Sequence, residues 1–235
     1  MFQQQPSEEK NQSFFLDHHQ DYKQKISKLK TYRNIFGEVT EAVSGAELLI
    51  DIGNGGVFDY ETSRAKRIVA VDVMFTDGFD RTTLPANAEA IRGSALDLPF
   101  PDGHADMALM NMLLHHLTGR DVASTHSNLE KAISEAARVL RPGGKMVIME
   151  SCVPHWFFSF EQVVYKASAK VIERVTEHPP TLQFPPDLIA GIVEKMFSNV
   201  SVKRIPRGAW VLQYGVMWPS ALTPVQPHLF MATRQ

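Results

Sequence analysis

The 235-residue chain has a single cysteine, Cys152, so no intramolecular disulfide can hold it together. That points to the reducing cytoplasm. Charge of either sign is not in excess: 24 Lys and Arg stand against 26 Asp and Glu, for a net charge of -2, which leaves no electrostatic footprint for nucleic acid or an anionic membrane. The expected partner is therefore a small-molecule substrate, with no nucleic acid and no membrane. The longest apolar stretch, 105–117, is broken by Asp106, Asn111, His115 and His116 and is too short to span a bilayer. The N-terminal run MFQQQPSEEKNQ is polar and lacks the apolar centre of a signal peptide. The nine histidines show no zinc-type spacing, and adjacent pairs at 18–19 and 115–116 cannot easily share one ion, so no metal is expected. Internal repeats are absent as well.

What is present reads as ordinary globular sequence, 44% hydrophobic, enough to build one core of domain size. From Ala46 onward short apolar runs alternate with helical stretches, the pattern of βαβ units and a mostly parallel sheet. Strands are predicted at 46–52, 67–73, 88–92, 105–111 and 144–151. Between the last two, SNLEKAISEAARVL has helical periodicity and stops at Arg141-Pro142-Gly143-Gly144. Residues 155–175 form a long helical candidate with a dense aromatic start, Pro185-Pro186-Asp187 opens another helix, and strands resume at 200–205 and 227–234. Tyr22, Ile26, Leu29 and Tyr32 mark an amphipathic helix near the start. The expected organisation is an N-terminal helical segment (1–45) closing a pocket, a cofactor-binding core (46–151), a helical cap insertion (152–199) and C-terminal strands completing the sheet (200–235).

Chemistry concentrates at Leu48-Leu49-Ile50-Asp51-Ile52-Gly53-Asn54-Gly55-Gly56, where an apolar strand runs into a glycine turn that lets backbone approach a ligand closely. Asp72 ends the next strand, where a ribose-binding carboxylate belongs in a dinucleotide-like site. Three further segments fall in order: Gly93-Ser94-Ala95-Leu96-Asp97-Leu98-Pro99-Phe100, Leu113-Leu114-His115-His116-Leu117, and Arg138-Val139-Leu140-Arg141-Pro142-Gly143-Gly144.

On these motifs, over residues 46 to 151, the chain resembles the class I S-adenosylmethionine-dependent methyltransferases, in the type 11-like subgroup with an LPF segment and an LRPGG turn. The resemblance implies a Rossmann-like α/β fold: a seven-stranded, mostly parallel sheet with helices on both faces, plus a helical and aromatic cap. It implies S-adenosylmethionine as cofactor. Asp51, Gly53, Asn54 and Gly55 would lie at its methionyl end, Asp72 at the ribose hydroxyls, Ser94 and Ala95 at the adenine, Asn111 and Met112 beside the sulfonium, and Tyr32 over the pocket. The chain departs from the family at Val57, where a glycine is common; Val57 is expected to pack under a following helix.

The implied reaction is in-line methyl transfer to a small molecule, which requires positioning and desolvation and needs a base only if the acceptor must lose a proton. His155, just after the fifth strand, is the candidate base; one of His115 and His116 would line the pocket while the other packs; Glu150 could bind an amine; Cys152 is packing. Trp156, Phe157, Phe158, Phe160 and Tyr165 would divide between a pocket and the core. Two other readings stay open: a non-methylating enzyme that cyclises the cofactor's methionine moiety to azetidine-2-carboxylate with release of methylthioadenosine, and a cofactor-binding module without catalysis.

Overall fold

A computed structural model describes residues 29–163, 181–213 and 216–235. Five strands, β1 (Leu48–Ile52), β2 (Arg67–Asp72), β3 (Ala88–Arg92), β4 (Ala105–Asn111) and β5 (Leu140–Cys152), pair in parallel in the order β3-β2-β1-β4-β5. The β1 and β4 residues are almost all buried, as continuous apolar runs in the middle of a parallel sheet require. Beyond β5, β9 (Gln226–Arg234) enters antiparallel between β5 and β6 (Phe197–Arg204), so β6 again runs with the parallel set.

Helices cover both faces. On one, α1 (Lys30–Ala42) buries Ile35, Val39 and Ala42 against Leu49, Met107, Leu109, Val147 and Met149. On the other, α2 (Val122–Val139) lays Leu129, Ala132, Ile133 and Ala136 over Ile50, Met110 and Ile148, joined by Ile189, Ile192 and Val193 of α3 (Pro186–Val193). A reciprocal Asp121–Ser124 capping box starts α2: the Ser124 amide donates to Asp121 Oδ1 at 2.8 Å and the Asp121 amide to Ser124 Oγ at 3.0 Å. The Arg141-Pro142-Gly143-Gly144 turn is built into the start of β5 as a bulge, with Gly143 at φ +77 and the pairing register shifting between Ala105 and Met107.

Three details differ from the sequence reading. No α-helix follows β1: residues 53–66 hold only a 3-10 turn at Thr62–Arg64, so Val57 has no following helix to pack under. Side-chain hydrogen bonds from Asn54 and Tyr60 hold this segment, and they compete with helix formation. The connection from β6 to β9 contains a hairpin of its own, β7 (Trp210–Gln213) with β8 (Val216–Pro219). Within the segment read as a cap, Leu182, Phe184, Ile189 and Ile192 sit in the main core alongside β4 and β5. The early helix read from Tyr22 lies outside the described residues up to residue 28, and residues 155–163 are helical where the long aromatic helix was expected.

Candidate active site at the carboxyl edge of the sheet

The chain turns sharply after β1 because Gly53, Gly55 and Gly56 adopt φ of +75, +62 and +85, values that side chains with a Cβ rarely take. The Gly53 amide still reaches the Val71 carbonyl at 2.7 Å, and a Cβ there would stand 2.4 Å from Leu113 Cδ1. Gly53→Ala is thus expected to lower stability by about 2–4 kcal/mol, the sum of a left-handed backbone and an overpacked contact. An unchanged urea midpoint would contradict the geometry.

Asn54 knits the bend. Its Nδ2 donates to Asp51 Oδ2 at 2.6 Å and to the Val57 carbonyl at 2.9 Å, while its Oδ1 accepts the Gly56 amide at 2.9 Å. The Tyr60 hydroxyl donates to the same Asp51 oxygen at 2.7 Å. Burial pushes the Asp51 carboxyl up to about 7, against the pull of these two hydrogen bonds and with the help of the nearby Asp59 and Asp72 charges. Burial and the Asp51 charge likewise raise the Tyr60 phenol.

Asp72 ties the second element in. Its Oδ2 accepts the Gly55 amide and its Oδ1 the Met74 amide, each at 2.9 Å, and its carbonyl accepts the Gly93 amide at 3.2 Å. Gly93 leads directly into Ser94 and Ala95, both buried, whose turn is closed by the Asp97 amide on the Ser94 carbonyl at 3.1 Å; Asp97 itself is exposed. Hydrogen bonds therefore join the glycine bend to Asp72 and Asp72 to Gly93, the residue before Ser94-Ala95.

From β4 come Asn111, whose buried Oδ1 has no hydrogen-bond partner among the described residues, and Met112, held at φ +55 with its amide on the Met149 carbonyl at 2.8 Å. Tyr32 of α1 packs in the same apolar cluster as Met112 and Phe58. Burial pushes its phenol up to about 12, and it hydrogen-bonds the Leu212 backbone. A glycine-rich bend that brings backbone close, a carboxylate at its rim and an orphaned amide oxygen at the neighbouring strand end fit a cofactor with a polar tail and ribose hydroxyls.

The remaining candidates separate. His155 lies at the surface, its Nε2 2.7 Å from Asp187 Oδ2, with both side chains about two-thirds exposed. Cys152 is buried, and burial together with Glu150 and Asp187 raises its thiol well above the usual range, which suits packing. Phe158 packs on Phe184 in the core with ring centroids 5.8 Å apart, Trp156 and Phe160 are exposed, Phe157 lies between them, and Tyr165 falls outside the described residues.

A pairing the sequence reading missed stands at the ends of β4 and β5. Glu150 is fully buried, and its Oε1 lies 2.6 Å from His115 Nδ1, whose ring meets that of His116 at a tilt of 41° with centroids 4.1 Å apart. The two residues are 35 apart in sequence, but parallel pairing of Asn111 with Met149 carries the next residues of both strands to one place. The signal was a glutamate near the end of one predicted strand and a histidine a few residues past the end of its neighbour.

A family model described as "Methyltransferase domain" matches residues 49–148. The demethylmenaquinone methyltransferase of Tropheryma whipplei (strain Twist) is 32% identical over 136 residues, covering 52% of this chain and 53% of the relative. The chain thus spans about half the length of that relative. The ubiquinone/menaquinone biosynthesis C-methyltransferase UbiE of Pseudomonas entomophila is 25% identical over 202 residues, 76% of this chain and 75% of the relative. The 1,6-didemethyltoxoflavin-N1-methyltransferase of Burkholderia thailandensis superimposes with a TM-score of 0.60 at 16% identity, over 100% of this chain and 92% of that one, and so shares the fold. The ordered motifs, the strand order with its reversed β9 and the family match agree: residues 49–148 carry a methyltransferase domain, and the chain has the Rossmann-like fold of S-adenosylmethionine-dependent methyltransferases.

Proposed function

We propose that the protein methylates a small-molecule acceptor with S-adenosylmethionine bound at the carboxyl edge of the sheet. The observation that carries this reading is the hydrogen-bonded chain from the Gly53–Gly56 bend through Asp72 to Gly93, which leads into Ser94-Ala95. Asp51, Gly53, Asn54 and Gly55 would hold the methionyl end, Asp72 the ribose hydroxyls, Ser94 and Ala95 the adenine, with Asn111 and Met112 near the sulfonium and Tyr32 covering the pocket. When bound, the cofactor supplies an electrophilic methyl group on a positively charged sulfur.

The chain's own residues position the acceptor and handle its proton. Glu150 can only accept at Oε1 when ionised, which assigns the Nδ1 proton to His115 and leaves Nε2 as the lone-pair nitrogen whenever the ring is neutral. His115 is a better base than the surface residue His155, because a fixed ring beside the β4 end needs no reorganisation. Two relatives bear names that specify quinone precursors. A hydroxylated aromatic ring fits a base of this kind: losing the phenolic proton makes the oxygen, or the ring carbon beside it, the nucleophile, and after transfer to carbon the ring proton leaves to restore aromaticity.

The test is to incubate the purified protein with S-adenosylmethionine, with and without a demethylmenaquinol acceptor or a panel of hydroxylated aromatics, and identify the nucleoside formed. S-adenosylhomocysteine that appears only with an acceptor is the expected product. Methylthioadenosine formed without any acceptor would show cofactor cyclisation instead and overturn the reading. In parallel, Asp72→Ala is expected to weaken S-adenosylhomocysteine binding at least tenfold by calorimetry, about 1.4 kcal/mol, the scale of a charge-assisted hydrogen bond. Equal affinity would remove Asp72 from the site.

A further inference from the structure

Outside this site, a cleft of about 440 Å³ opens between the end of β6 and the base of the β7–β8 hairpin, lined by Arg204, Arg207, Gly208, Ser220 and Gln226 among others. Its polar framework is already spoken for. The Gly208 amide donates to Thr31 Oγ1 at 2.8 Å, the Ser220 hydroxyl to the Gly208 carbonyl at 2.6 Å, and the Gln226 amide nitrogen to the Ile205 carbonyl at 2.6 Å. Arg207 is anchored by Nη1, which donates to the Thr223 carbonyl at 3.0 Å and the Val225 carbonyl at 2.6 Å.

Within this cleft two cations have no counter-charge among the described residues. Among the described residues no carboxylate pairs with Arg204 or Arg207, whereas Lys66, Arg67, Arg138, Lys195 and Lys203 all have one. Burial and, after it, the Arg204 charge lower the pKa of Arg207 and of His228, which faces Arg204 in the β6–β9 register. Holding like charges together around a partly buried guanidinium costs free energy that an oxyanion in the cleft would recover, and the planar fork of arginine matches phosphate oxygens two at a time.

We propose that this cleft is a phosphate-binding subsite in which Arg204 and Arg207 grip a phosphomonoester. It goes beyond the methyltransferase reading and does not depend on it. Because β6 runs with β1 and β4, the cleft opens at the same edge as the glycine bend, three strand spacings, or roughly 14 Å, from β4. A phosphate there suits the far end of an elongated acceptor. The phosphate has two sources: a soluble phosphorylated compound, or a lipid headgroup, for which the exposed Trp210, Met217, Trp218 and Leu222 beside the cleft would supply apolar contact.

The test titrates inorganic phosphate into the full chain at constant ionic strength, following binding by calorimetry and amide NMR shifts, for the wild type and Arg204→Gln. The Arg204 side chain is exposed and makes no hydrogen bond among the described residues, so the variant should keep its melting temperature. Saturable binding that weakens at least tenfold in Arg204→Gln, and only partly in Arg204→Lys, supports the subsite. Phosphate that acts no differently from chloride, or binds both proteins equally, overturns it. Flotation with vesicles of phosphatidic acid in phosphatidylcholine, lost in Arg204→Gln and competed by inorganic phosphate, assigns the source to a headgroup. Phosphate binding without flotation assigns it to a soluble compound. S-adenosylhomocysteine affinity measured on the same samples should be unchanged in Arg204→Gln, which separates failure of this subsite from failure of the methyltransferase reading.

Discussion

Glu150→Leu is expected to destabilise the protein by about 3–5 kcal/mol, the range found when one partner is taken from a buried charged network. Glu150 is fully buried, and its two oxygens satisfy four groups at once. Oε2 accepts the Leu114 amide at 2.7 Å and the His115 amide at 3.4 Å; Oε1 accepts the Ser151 amide at 2.7 Å and meets His115 Nδ1 at 2.6 Å. Leucine fills much of the same volume but accepts nothing. Each orphaned buried donor costs about 1–3 kcal/mol, which is far more than a lost hydrogen bond between groups that water can reach. Glu150→Gln retains one carbonyl oxygen and should cost less than leucine, while its amide hydrogens now face the amides the carboxylate had served. Urea denaturation of the three proteins gives the comparison directly, and a leucine variant with the wild-type midpoint would show that the network carries no stability. If His115 is the base, the glutamine variant should also lose kcat more than KM, since the acceptor still binds while the ring loses its fixed orientation.

Asp51→Asn is expected to do the opposite to stability while harming binding. The Asp51 carboxyl has its folded pKa raised to about 7 from 3.8, so the folded state holds this proton more tightly than the unfolded state does. Below the unfolded value both states are protonated and the group contributes nothing to the pH dependence. As pH rises from about 4 to 7 the unfolded chain releases its proton first, stability falls, and above 7 the whole penalty is present, at most about 4 kcal/mol at 1.36 kcal/mol per pKa unit. Asparagine has no such penalty, and its carbonyl oxygen can still accept from Tyr60 and Asn54. Its stability relative to wild type should therefore climb between pH 5 and pH 8. A difference that stays flat across that interval would refute the assignment. Cofactor affinity should move the other way, because a cation at the methionyl end favours the ionised carboxylate. Wild-type binding is then expected to tighten from pH 6 to pH 8 with proton release, and Asp51→Asn binding to be weaker and flat. Retaining a carboxylate that costs stability in a buried bend is the pattern of a functional residue.

The strands and the cofactor edge were legible because their signals are local. LLIDI, RIVAVD and ADMALMN are apolar runs of strand length that a doubly covered parallel sheet needs, and the structure has strands at all of them. Gly53, Gly55 and Asp72 announced themselves in the same way, since a left-handed bend and a strand-end carboxylate are properties of short segments. The β7–β8 hairpin was not legible. Val216, Met217 and Trp218 are all exposed, so β8 has no alternation of apolar and polar residues to detect. The missing helix after β1 was hidden for a related reason. Its residues are held by Asn54 and Tyr60 side chains converging on Asp51, a three-way contact that no helical periodicity reports.

By itself, the order of residues determined that this chain forms an α/β sheet with a glycine bend and an acidic strand end, because burial periodicity and backbone freedom act within a few residues. Only the tertiary structure decided which charges meet: that Glu150 holds His115, that Asp51 is buried beside Tyr60, and that Arg204 and Arg207 share a cleft without a carboxylate. Those encounters join residues from different elements, and their energies depend on burial and distance, quantities that exist only once strand register and helix packing have been set.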